Sequence, residues 1–394
     1  MSESDSSFHA RVTHSLSDIP AADWDACAGT GNPFLTHAFL SALEESGCVS
    51  AETGWQPFHI LLSDEDGHLH GAVPLYLKNH SFGEYVFDWG WADAYERAGG
   101  QYYPKLQCGV PFTPVTGPRL LTGTAEHPQH AQRLLISALS SVAEQTGVSS
   151  LHVTFPTRNE WDALTEAGFL ARTGQQYHWY NHGYADFDDF LATLSSRKRK
   201  NIRKERARVR ESGITLRALS GEELHTTHWE AFYRFYMDTT DRKWGQPYLS
   251  LEFFLHLSEK LADRIVLILA YHDDQPVAGA LNLRDDECLY GRNWGCAADF
   301  RFLHFEACYY QAIDYAISHG LSRVEAGAQG EHKIQRGYLP VETYSAHLIR
   351  DPALREAVES YLKREREMVR HTIDHLQEES PYRRENSPIP DRQS

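Results

Sequence analysis

The order of apolar and polar positions in this chain occurs twice. Two stretches, HILLSDEDGHLHGAVPLYL (59–77) and IVLILAYHDDQPVAGALNL (265–283), place apolar strands on either side of an acidic turn that contains Gly or Pro. This pattern predicts a β-hairpin in each half. Downstream, each half has a helical stretch ending in Gly, a short apolar strand, and a short segment that closes on Gly-aromatic-Leu, at 168–170 and 337–339. The repeat predicts two copies of one α/β domain.

Two domains also fit the length, because 394 residues exceed what one hydrophobic core usually holds. We predict an N-terminal domain over residues 8–182 and a C-terminal domain over residues 183–380, each with a mixed sheet of the α/β (α+β) class. A heavily charged helix that starts near Asp351 ends the second domain. The polar, proline-bearing segment 381–394 predicts a disordered tail.

The segment 80–121 has no equal in the second half. It holds nine aromatic residues between positions 82 and 112, together with four prolines. This mixture disfavours a long helix and predicts a strand over 85–91 followed by an ordered loop. The segment is either a satellite core or the wall of a substrate pocket. If it is a pocket wall, the residues expected to contact substrate are Trp89, Trp91, Tyr103 and Lys105.

Bulk composition narrows the class of protein. The chain is 41% hydrophobic and 23% charged, with a net charge of −16. The acidic balance argues against a DNA-binding protein, although a local basic patch is compatible with it. The N-terminal sequence MSESDSSFHARV has no apolar stretch, and no run approaches the length of a membrane span. We therefore expect a cytoplasmic protein with reduced thiols and no membrane span.

Several common catalytic motifs are absent from the sequence. It contains no G-x-x-x-x-G-K-[ST], no G-x-G-x-x-G and no G-x-S-x-G, which argues against P-loop, dinucleotide-binding and α/β-hydrolase chemistry. The six cysteines show no metal-binding spacing, and the pair of histidines in HTTHWE (225–230) is expected by chance among 22 histidines. We predict no metal site.

The segment SSRKRKNIRKERARVRE (195–211) concentrates positive charge. Nine basic residues and one acidic residue lie between positions 197 and 210. The segment is either a solvated helix face or an anion site, in which the helix N-terminus would add partial positive charge. In the second case, the residues expected to reach phosphates of a cofactor or RNA are Arg197, Arg199, Asn201 and Arg203.

A second cluster follows the strand that ends at Glu325, in VEAGAQGEHKIQRGYLPV (324–341). After two glycines, Glu331, His332, Lys333 and Arg336 follow on a short helix. Ligands of open α/β sheets usually bind at the carboxyl ends of strands. The equivalent loop of the first half has no Gly, His or Lys, so the second half is expected to carry the working site. A capped helix with solvated charges is the alternative.

A third cluster lies in CLYGRNWGCAADFRFLHFEACYYQ (288–311). Arg292, Asn293 and Trp294 are placed where a strand ends, and Glu306 lies on the following helix. Tyr309 and Tyr310 are interpreted as packing residues. Asn293 and Trp294 are candidates for cofactor binding, and Arg292, Glu306 and Arg336 for substrate binding.

These motifs resemble a known group of enzymes. The order hairpin, strand, helix, strand, short helix, Gly-aromatic is that of a GNAT acyltransferase domain, and two in tandem resemble the Fem-type aminoacyl-ligases. NPFLTHAFLSALEESG, PFTPVTGPRLL and AGAQGEHKIQRGYLPV look like a bacterial family of predicted N-acyltransferases labelled peptidoglycan biosynthesis or recognition proteins. The resemblance implies two tandem GNAT-like domains that move an acyl or aminoacyl group to an amine acceptor such as a peptidoglycan precursor.

The identity of the donor stays open in the sequence. The GNAT pyrophosphate loop should contain glycines, but the corresponding stretch here is AADFRFLHF. Acyl-CoA (acetyl-CoA) could still bind through backbone N–H groups, and the Fem resemblance implies aminoacyl-tRNA as the alternative donor.

Acyl transfer assigns expected roles to the second cluster. His332 or Glu331 would be the base, Lys333 would bind an acceptor carboxylate or stabilise the leaving group, and strand N–H groups near Trp294 would hold the oxyanion. The competing interpretations are a non-catalytic protein that binds cell-wall peptide or RNA in a groove between the domains, and an acyl-CoA N-acyltransferase for a small amine.

Overall fold

The computed structural model describes residues 8–29, 31–123, 125–242, 247–298, 300–327 and 330–383. The side chains of Asp241, Arg242 and Glu331 lie outside this description. The chain forms two compact units. The first comprises residues 1–174 and 343–369, and the second residues 175–342 and 370–394.

The chain therefore changes units more often than the sequence predicts. It enters the second unit at residue 175, eight residues before the predicted boundary at 183, and it returns to the first unit for residues 343–369. The return was not predicted, because only long-range strand pairing brings that segment back.

The first unit contains seven strands and five α-helices in the described residues before the first crossing. The strands are β1 (His9–Thr13), β2 (Trp55–Pro57), β3 (His59–Ser63), β4 (Leu69–Val73), β5 (Leu75–Lys78), β6 (Lys105–Cys108) and β7 (Ser150–Thr154). The helices are α1 (Ala21–Ala28), α2 (His37–Glu45), α3 (Trp89–Arg97), α4 (Pro128–Thr146) and α5 (Arg158–Glu166). Short 3₁₀ helices lie at Leu16–Asp18 and Pro33–Leu35.

The strand β8 (Leu170–Tyr180) leads into the second unit. The strands that follow are β9 (Ile214–Leu219), β10 (Ile265–His272), β11 (Gln275–Arg284), β12 (Cys288–Cys296), β13 (Arg323–Glu325) and β14 (Leu339–Ile349). The helices are α6 (Phe187–Thr193), α7 (Ser196–Glu211), α8 (Thr226–Arg242), α9 (Leu251–Leu261), α10 (Leu303–Phe305), α11 (Gln311–Ser318) and α12 (Pro352–Glu378). Shorter helices are the 3₁₀ turns Gly221–Glu223, Ala262–Arg264 and Glu331–Arg336, and the π-helical turn Glu306–Tyr310.

The two units share one strand topology, which confirms the predicted repeat and the mixed α/β class. In the second unit, β9, β10, β11 and β12 pair antiparallel, β12 pairs parallel with β13, and β13 pairs antiparallel with β8. In the first unit, β1, β3 and β4 pair antiparallel, as do β5 and β6, while β6 runs parallel to β7 and β7 pairs with β14. The strands β4 and β5 together correspond to the single strand β11. They are separate because Pro74, which lies between them, has no N–H group to continue the hydrogen bonding of a strand.

Each copy of the repeat supplies the sixth strand of the other unit. The strand β8 follows the first Gly-aromatic-Leu triplet but pairs with β13, and β14 follows the second triplet but pairs with β7. Each unit encloses its own buried apolar cluster, around Leu135 and Val153 in the first and around Trp179 and Val324 in the second. The site described below therefore sits on a packed sheet.

Two sequence expectations are wrong. The segment predicted as a strand over 85–91 instead leads into helix α3, whose Trp91 and Ala92 are buried against Leu354 and Val358. Its aromatic residues favour strands by propensity, but packing decides the conformation. The predicted disordered tail is partly ordered, since Pro381 and Tyr382 are buried. Residues 384–394 of that prediction lie outside the described residues.

Within the described residues, none of the helices combines the length and the apolar character that crossing a bilayer requires.

Candidate functional site

The sheet of the second unit opens where two parallel strands part. The strands β12 and β13 pair only from Cys288 and Arg323 to Tyr290 and Glu325. The strand β13 ends there, whereas β12 continues to Cys296 while paired with β11. Beyond Tyr290, the described residues of β13 therefore do not cover the edge of β12, and the amide of Cys296 donates to Thr239 Oγ1 at 3.3 Å.

A β-bulge marks the same point. Leu281 pairs with Asn293 and Asn282 pairs with Gly291, so Arg292 is the extra residue. Bulges are common beside active sites, where they change the direction of side chains. The sequence placed Arg292, Asn293 and Trp294 at the end of the strand. They lie in the last five residues of β12, with Arg292 as the bulged residue, and the pairing with β11 continues to Cys296.

His332 stands at the centre of an aromatic cluster at this opening. Its Nε2 shares a 3.0 Å hydrogen bond with the Tyr309 hydroxyl. The ring of His304 lies between Trp294, at 5.4 Å, and Tyr309, also at 5.4 Å, and Phe305 lies 5.6 Å from His332. The ring of His304 thus lies near both Trp294 of β12 and His332 of the short helix, at 5.4 Å and 6.3 Å.

The helix that carries Tyr309 is irregular at that residue. The turn Glu306–Tyr310 is π-helical, between α10 and α11. A π-helical turn is rare and frequently occurs at functional sites. Burial keeps the pKa of Tyr309 above its ordinary value, so the phenol retains its proton. Tyr309 is buried, as its interpretation as a packing residue requires, and it also orients the imidazole of His332.

The environment of His332 favours its neutral form. The side chain is exposed, but partial desolvation of its ring, followed by the charges of Arg336 and Lys333, lowers the pKa of His332 below its usual value. A neutral, solvent-exposed imidazole can accept a proton from an amine near neutral pH. The side chain of Glu331, the other predicted base, lies outside the described residues.

Lys333 points away from solvent. Its side chain is buried, and its Nζ donates hydrogen bonds to the carbonyl oxygens of Ala326, at 2.6 Å, and Gly327, at 3.0 Å. Burial lowers its pKa to about 8. The ammonium therefore holds the chain that leaves β13, and this contact accounts for the position of Lys333 without a substrate.

Two ion-pair groups join the basic helix α7 to the site. Arg336 donates from Nη2 to both carboxylate oxygens of Glu205, at 3.0 Å each, and its guanidinium lies 3.5 Å from the ring centre of Phe305. The hydroxyl of Tyr310 also donates to Glu205. Arg206 binds the buried carboxylate of Glu306 on the π-helical turn at 3.0 Å. Arg336 and Glu306, predicted to bind substrate, are thus engaged by α7.

Glu205→Ala is expected to lower the free energy of unfolding by about 2–4 kcal/mol. The variant leaves the nearly buried guanidinium of Arg336 without its carboxylate. Glu211→Ala on the same helix is the matched control. Its ion pair with Arg208 is exposed on both sides, so a change of at most about 0.5 kcal/mol is expected. Urea titrations of both variants measure the difference, and equal losses would contradict the assignment.

The four predicted phosphate ligands on α7 do not form one cradle. At about 100° per residue, Arg197 and Asn201 project from one side of the helix, and Arg199 and Arg203 from the other. Arg203 is paired with Asp188 at 2.8 Å. Lys198 is half-buried and lies on the same face of the helix as the buried Ile202. Burial, followed by the charge of Arg197, lowers its pKa, while Glu379 opposes the shift.

Side chains cross the corresponding strand ends of the first unit. There β6 and β7 end together, and Gln107 Nε2 donates across them to Thr154 Oγ1 at 2.8 Å. The fully buried Arg119 donates from Nε to the carbonyl oxygen of Thr154 at 2.9 Å. These side chains therefore cross the strand ends, and a cavity of about 530 Å³ lies beside them, lined by Pro118, Leu120, Thr157 and Glu160 among others. A working site in the second copy stays a prediction.

The four predicted substrate residues of the first unit have different environments. Lys105 is fully buried and donates to Ser81 at 2.8 Å, Glu84 at 2.7 Å and Asp88 at 2.5 Å. The hydroxyl of Tyr103 shares a 2.8 Å hydrogen bond with the same serine. Trp91 is buried against the ring of His347, whereas Trp89 is 49% exposed. Trp91 nevertheless lines a cavity of about 320 Å³ together with Phe87, Arg172 and Tyr361, so both tryptophans can meet a ligand, whereas Lys105 cannot.

Several residues of the site were not among the catalytic or binding residues predicted from the sequence. They are His304, Phe305, Lys198 and Glu205. His304 and Phe305 belong to AADFRFLHF, a stretch interpreted only for its lack of glycine. Its aromatic residues were the available signal. Glu205 is the one acidic residue among nine basic residues, and that exception was the available signal.

A family of known proteins matches most of this chain. The family called FemAB-like, described as peptidoglycan biosynthesis/recognition, matches residues 15–384. No curated protein matches the chain.

Several solved structures are similar in fold. The crystal structure of FemX has a TM-score of 0.55 at 13% identity, covering 86% of this chain and 98% of that one. L-PGS from Bacillus licheniformis has a TM-score of 0.51 at 11% identity, covering 85% and 98%. A conserved protein of unknown function from Bacteroides thetaiotaomicron VPI-5482 has a TM-score of 0.51 at 12% identity, covering 86% and 100%.

Proposed function

The chain belongs to the FemAB-like family, described as peptidoglycan biosynthesis/recognition, and from this we propose that it is an N-acyltransferase whose reaction centre lies in the second unit. The observation that carries the proposal is the opening between β12 and β13, with the His332–Tyr309 pair beside it. A strand edge that β13 leaves uncovered and a neutral base provide what acyl transfer requires, a place for oxyanion donors and a proton acceptor. In the first unit, Gln107 and Arg119 cross the corresponding strand ends, which favours the second unit as the working site.

The proposed reaction joins an amine acceptor to an acyl group. The amine nitrogen attacks the acyl carbon, and its proton passes to His332. Backbone N–H groups of β12 near Trp294 stabilise the oxyanion. The C–S bond of a thioester, or the C–O bond of an aminoacyl ester, then breaks, and the leaving sulfur or oxygen takes the proton from His332, which returns to its neutral form. Lys333 acts by holding residues 326 and 327, and Arg292, at the bulge, is the proposed contact for the acceptor.

The donor carries phosphate in both versions of the proposal. Acyl-CoA and aminoacyl-tRNA would each place phosphate near the first turn of α7. Lys198 and Arg197 carry positive charge there. Arg199, Asn201 and Arg203 extend along the helix, and Asn293 lies at the sheet opening. A peptidoglycan precursor or related peptide is the proposed acceptor, and Trp89 is its proposed contact in the first unit.

The test is a transfer assay with both donors. The protein is incubated with acetyl-CoA or with aminoacyl-tRNA and a panel of amines, including peptidoglycan precursor peptides. Release of free thiol identifies the first donor, and amine-dependent deacylation of the tRNA the second. Tight binding of cell-wall peptide without turnover of either donor would overturn the enzymatic proposal in favour of a binding protein.

Two lysines on α7 separate the donors. Lys198→Ala is expected to raise the KM of either donor by roughly five- to ten-fold, because one charge-assisted phosphate contact is lost. Lys204→Ala, on an exposed part of the helix further along, is expected to leave the KM for acyl-CoA unchanged.

A tRNA would contact the longer basic surface. Lys204→Ala should then weaken binding as well, and the affinity should fall steeply with added salt. An unchanged donor KM in Lys198→Ala would exclude the first turn of α7 as the phosphate site.

A further inference from the structure

The short segment after α12 touches both functional elements of the second unit. We define Ser380–Arg383 as the C-terminal strap. The hydroxyl of Tyr382 donates to the carbonyl oxygen of Gly337 at 2.8 Å, directly after the helix Glu331–Arg336 that carries His332. Tyr382 is also bridged to Leu194, just before α7. The strap thus joins the end of one element to the beginning of the other.

Backbone hydrogen bonds fix the strap on the side of α7. The amide of Ser195, the residue before α7, donates to the carbonyl oxygen of Pro381 at 2.9 Å. The amide of Arg383 donates to the carbonyl oxygen of Thr193, also at 2.9 Å. Two bonds in antiparallel sense hold the strap to this point, so the start of α7 and the strap move together.

Gly337 fits the other side of the contact. Its φ of +93° belongs to the left-handed region, and a Cβ there would lie 2.7 Å from the ring of Phe190 and 3.1 Å from the Tyr382 hydroxyl. The chain therefore has a residue without a side chain where the strap meets the end of the helix. The contact is closely packed on both sides and buried.

We propose that Tyr382 is a positioning residue for the acyl-transfer site, and that the C-terminal strap fixes the distance between the first turn of α7 and His332. This inference rests on the proposed function. A donor whose phosphate binds at α7 presents its acyl group correctly only if that distance is constant. Displacements of about 1 Å can reduce turnover by two orders of magnitude. Tyr382 acts through Gly337 and does not contact substrate.

The variant Tyr382→Phe removes the hydroxyl and keeps the ring. We expect kcat to fall roughly ten- to a hundred-fold while the KM values of donor and acceptor change less than about two-fold. The acid limb of the pH profile of kcat should move towards the ordinary pKa of histidine, because a loosened helix weakens the effect of the Arg336 and Lys333 charges on His332. A purely structural role would lower the amount of folded protein without moving the pH profile.

Hydrogen exchange tests the strap independently of activity. In Tyr382→Phe, the amides of Ser195, Gly337 and Tyr338 should exchange about five-fold faster, the effect of one lost hydrogen bond. Tyr315→Phe is the matched control, since its hydroxyl contacts Arg284 elsewhere in the unit. It should leave exchange at these amides and kcat unchanged.

The outcomes separate the two proposals. Unchanged exchange of these amides in Tyr382→Phe would contradict the proposal that the strap holds the two elements together. Faster exchange with an unchanged kcat would contradict the positioning role of Tyr382. If the wild-type protein transfers no acyl group from either donor, the proposed function fails and the positioning role fails with it. Exchange then still decides whether the strap holds the two elements together.

Discussion

The variant His332→Gln is expected to lose about 10²- to 10⁴-fold in kcat, the range for removal of a general base. Glutamine retains a polar group that can bond to the Tyr309 hydroxyl, but it cannot accept a proton at neutral pH. His332 is exposed, so the free energy of unfolding should change by less than about 0.5 kcal/mol. Steady-state kinetics and thermal unfolding of the same preparation measure both effects.

The pH dependence gives a second measure of this role. Partial desolvation and the neighbouring cations lower the pKa of His332 below its usual value, and the base must be neutral to act. In the wild-type protein, kcat/KM should rise with pH through a midpoint below about 6.5 and then level off. This acid limb should be absent in His332→Gln.

His319→Gln is the matched control for His332. His319 is exposed at the end of α11, where its ring stacks on Tyr315. It should retain the kcat and the pH profile of the wild-type protein. Wild-type turnover in His332→Gln would remove His332 from the mechanism and leave Glu331 as the remaining predicted base.

The largest expected effect on stability is at Lys105. Lys105→Met should lower the free energy of unfolding by about 3–5 kcal/mol, because it leaves the buried carboxylates of Glu84 and Asp88 without their common cation. Burial already raises the pKa of Glu84 to about 7. Burial also acts to raise the pKa of Asp88, but the charge of Lys105 outweighs it and holds that pKa well below its ordinary value. Urea unfolding near pH 7.5 measures the loss.

The sign of the pH dependence follows from Asp88. In the wild-type protein its lowered pKa contributes stability that is present above the ordinary pKa of about 3.9 and is lost as the pH falls further. Without Lys105, burial dominates and raises the pKa of Asp88, so protonation stabilises the variant as the pH falls below neutrality. The difference between the two proteins should therefore be largest near pH 7.5 and should shrink towards pH 4.

Lys363→Met is the matched control for Lys105. Lys363 forms an exposed ion pair with Glu359 on α12, with side-chain exposures of 64% and 46%. Its removal should cost at most about 0.5 kcal/mol. A loss below about 1 kcal/mol in Lys105→Met would show that the buried cation does not hold the segment 81–88 in place.

The buried charges of the first unit show what sequence reasoning could not see. A lysine in a polar, aromatic-rich segment is normally exposed, yet Lys105 and Lys78 are both fully buried. Lys78 lies 3.5 Å from the ring centre of Trp55, and burial lowers its pKa to about 6. The partners Glu84 and Asp88 are far enough along the chain that no local pattern indicates the network.

The candidate site was predicted in part for the same reason. The cluster of His332, Lys333 and Arg336 after a strand was visible because the residues are neighbours in sequence. Lys333 binds the carbonyl group of Gly327, which is six residues away in the sequence. Arg336 pairs with Glu205, which is 131 residues away. Side chains that are adjacent on one short helix therefore have different surroundings.

By itself, the sequence determined the elements and their repetition. Hairpins, helices and Gly-aromatic closures follow from local periodicity and backbone preference, which are properties of short segments. The tertiary structure alone decided that β8 and β14 exchange places between the units, that β12 and β13 part at Tyr290, and that Tyr382 fastens the site. These outcomes depend on pairing and burial between distant segments, whose free energy no local pattern contains.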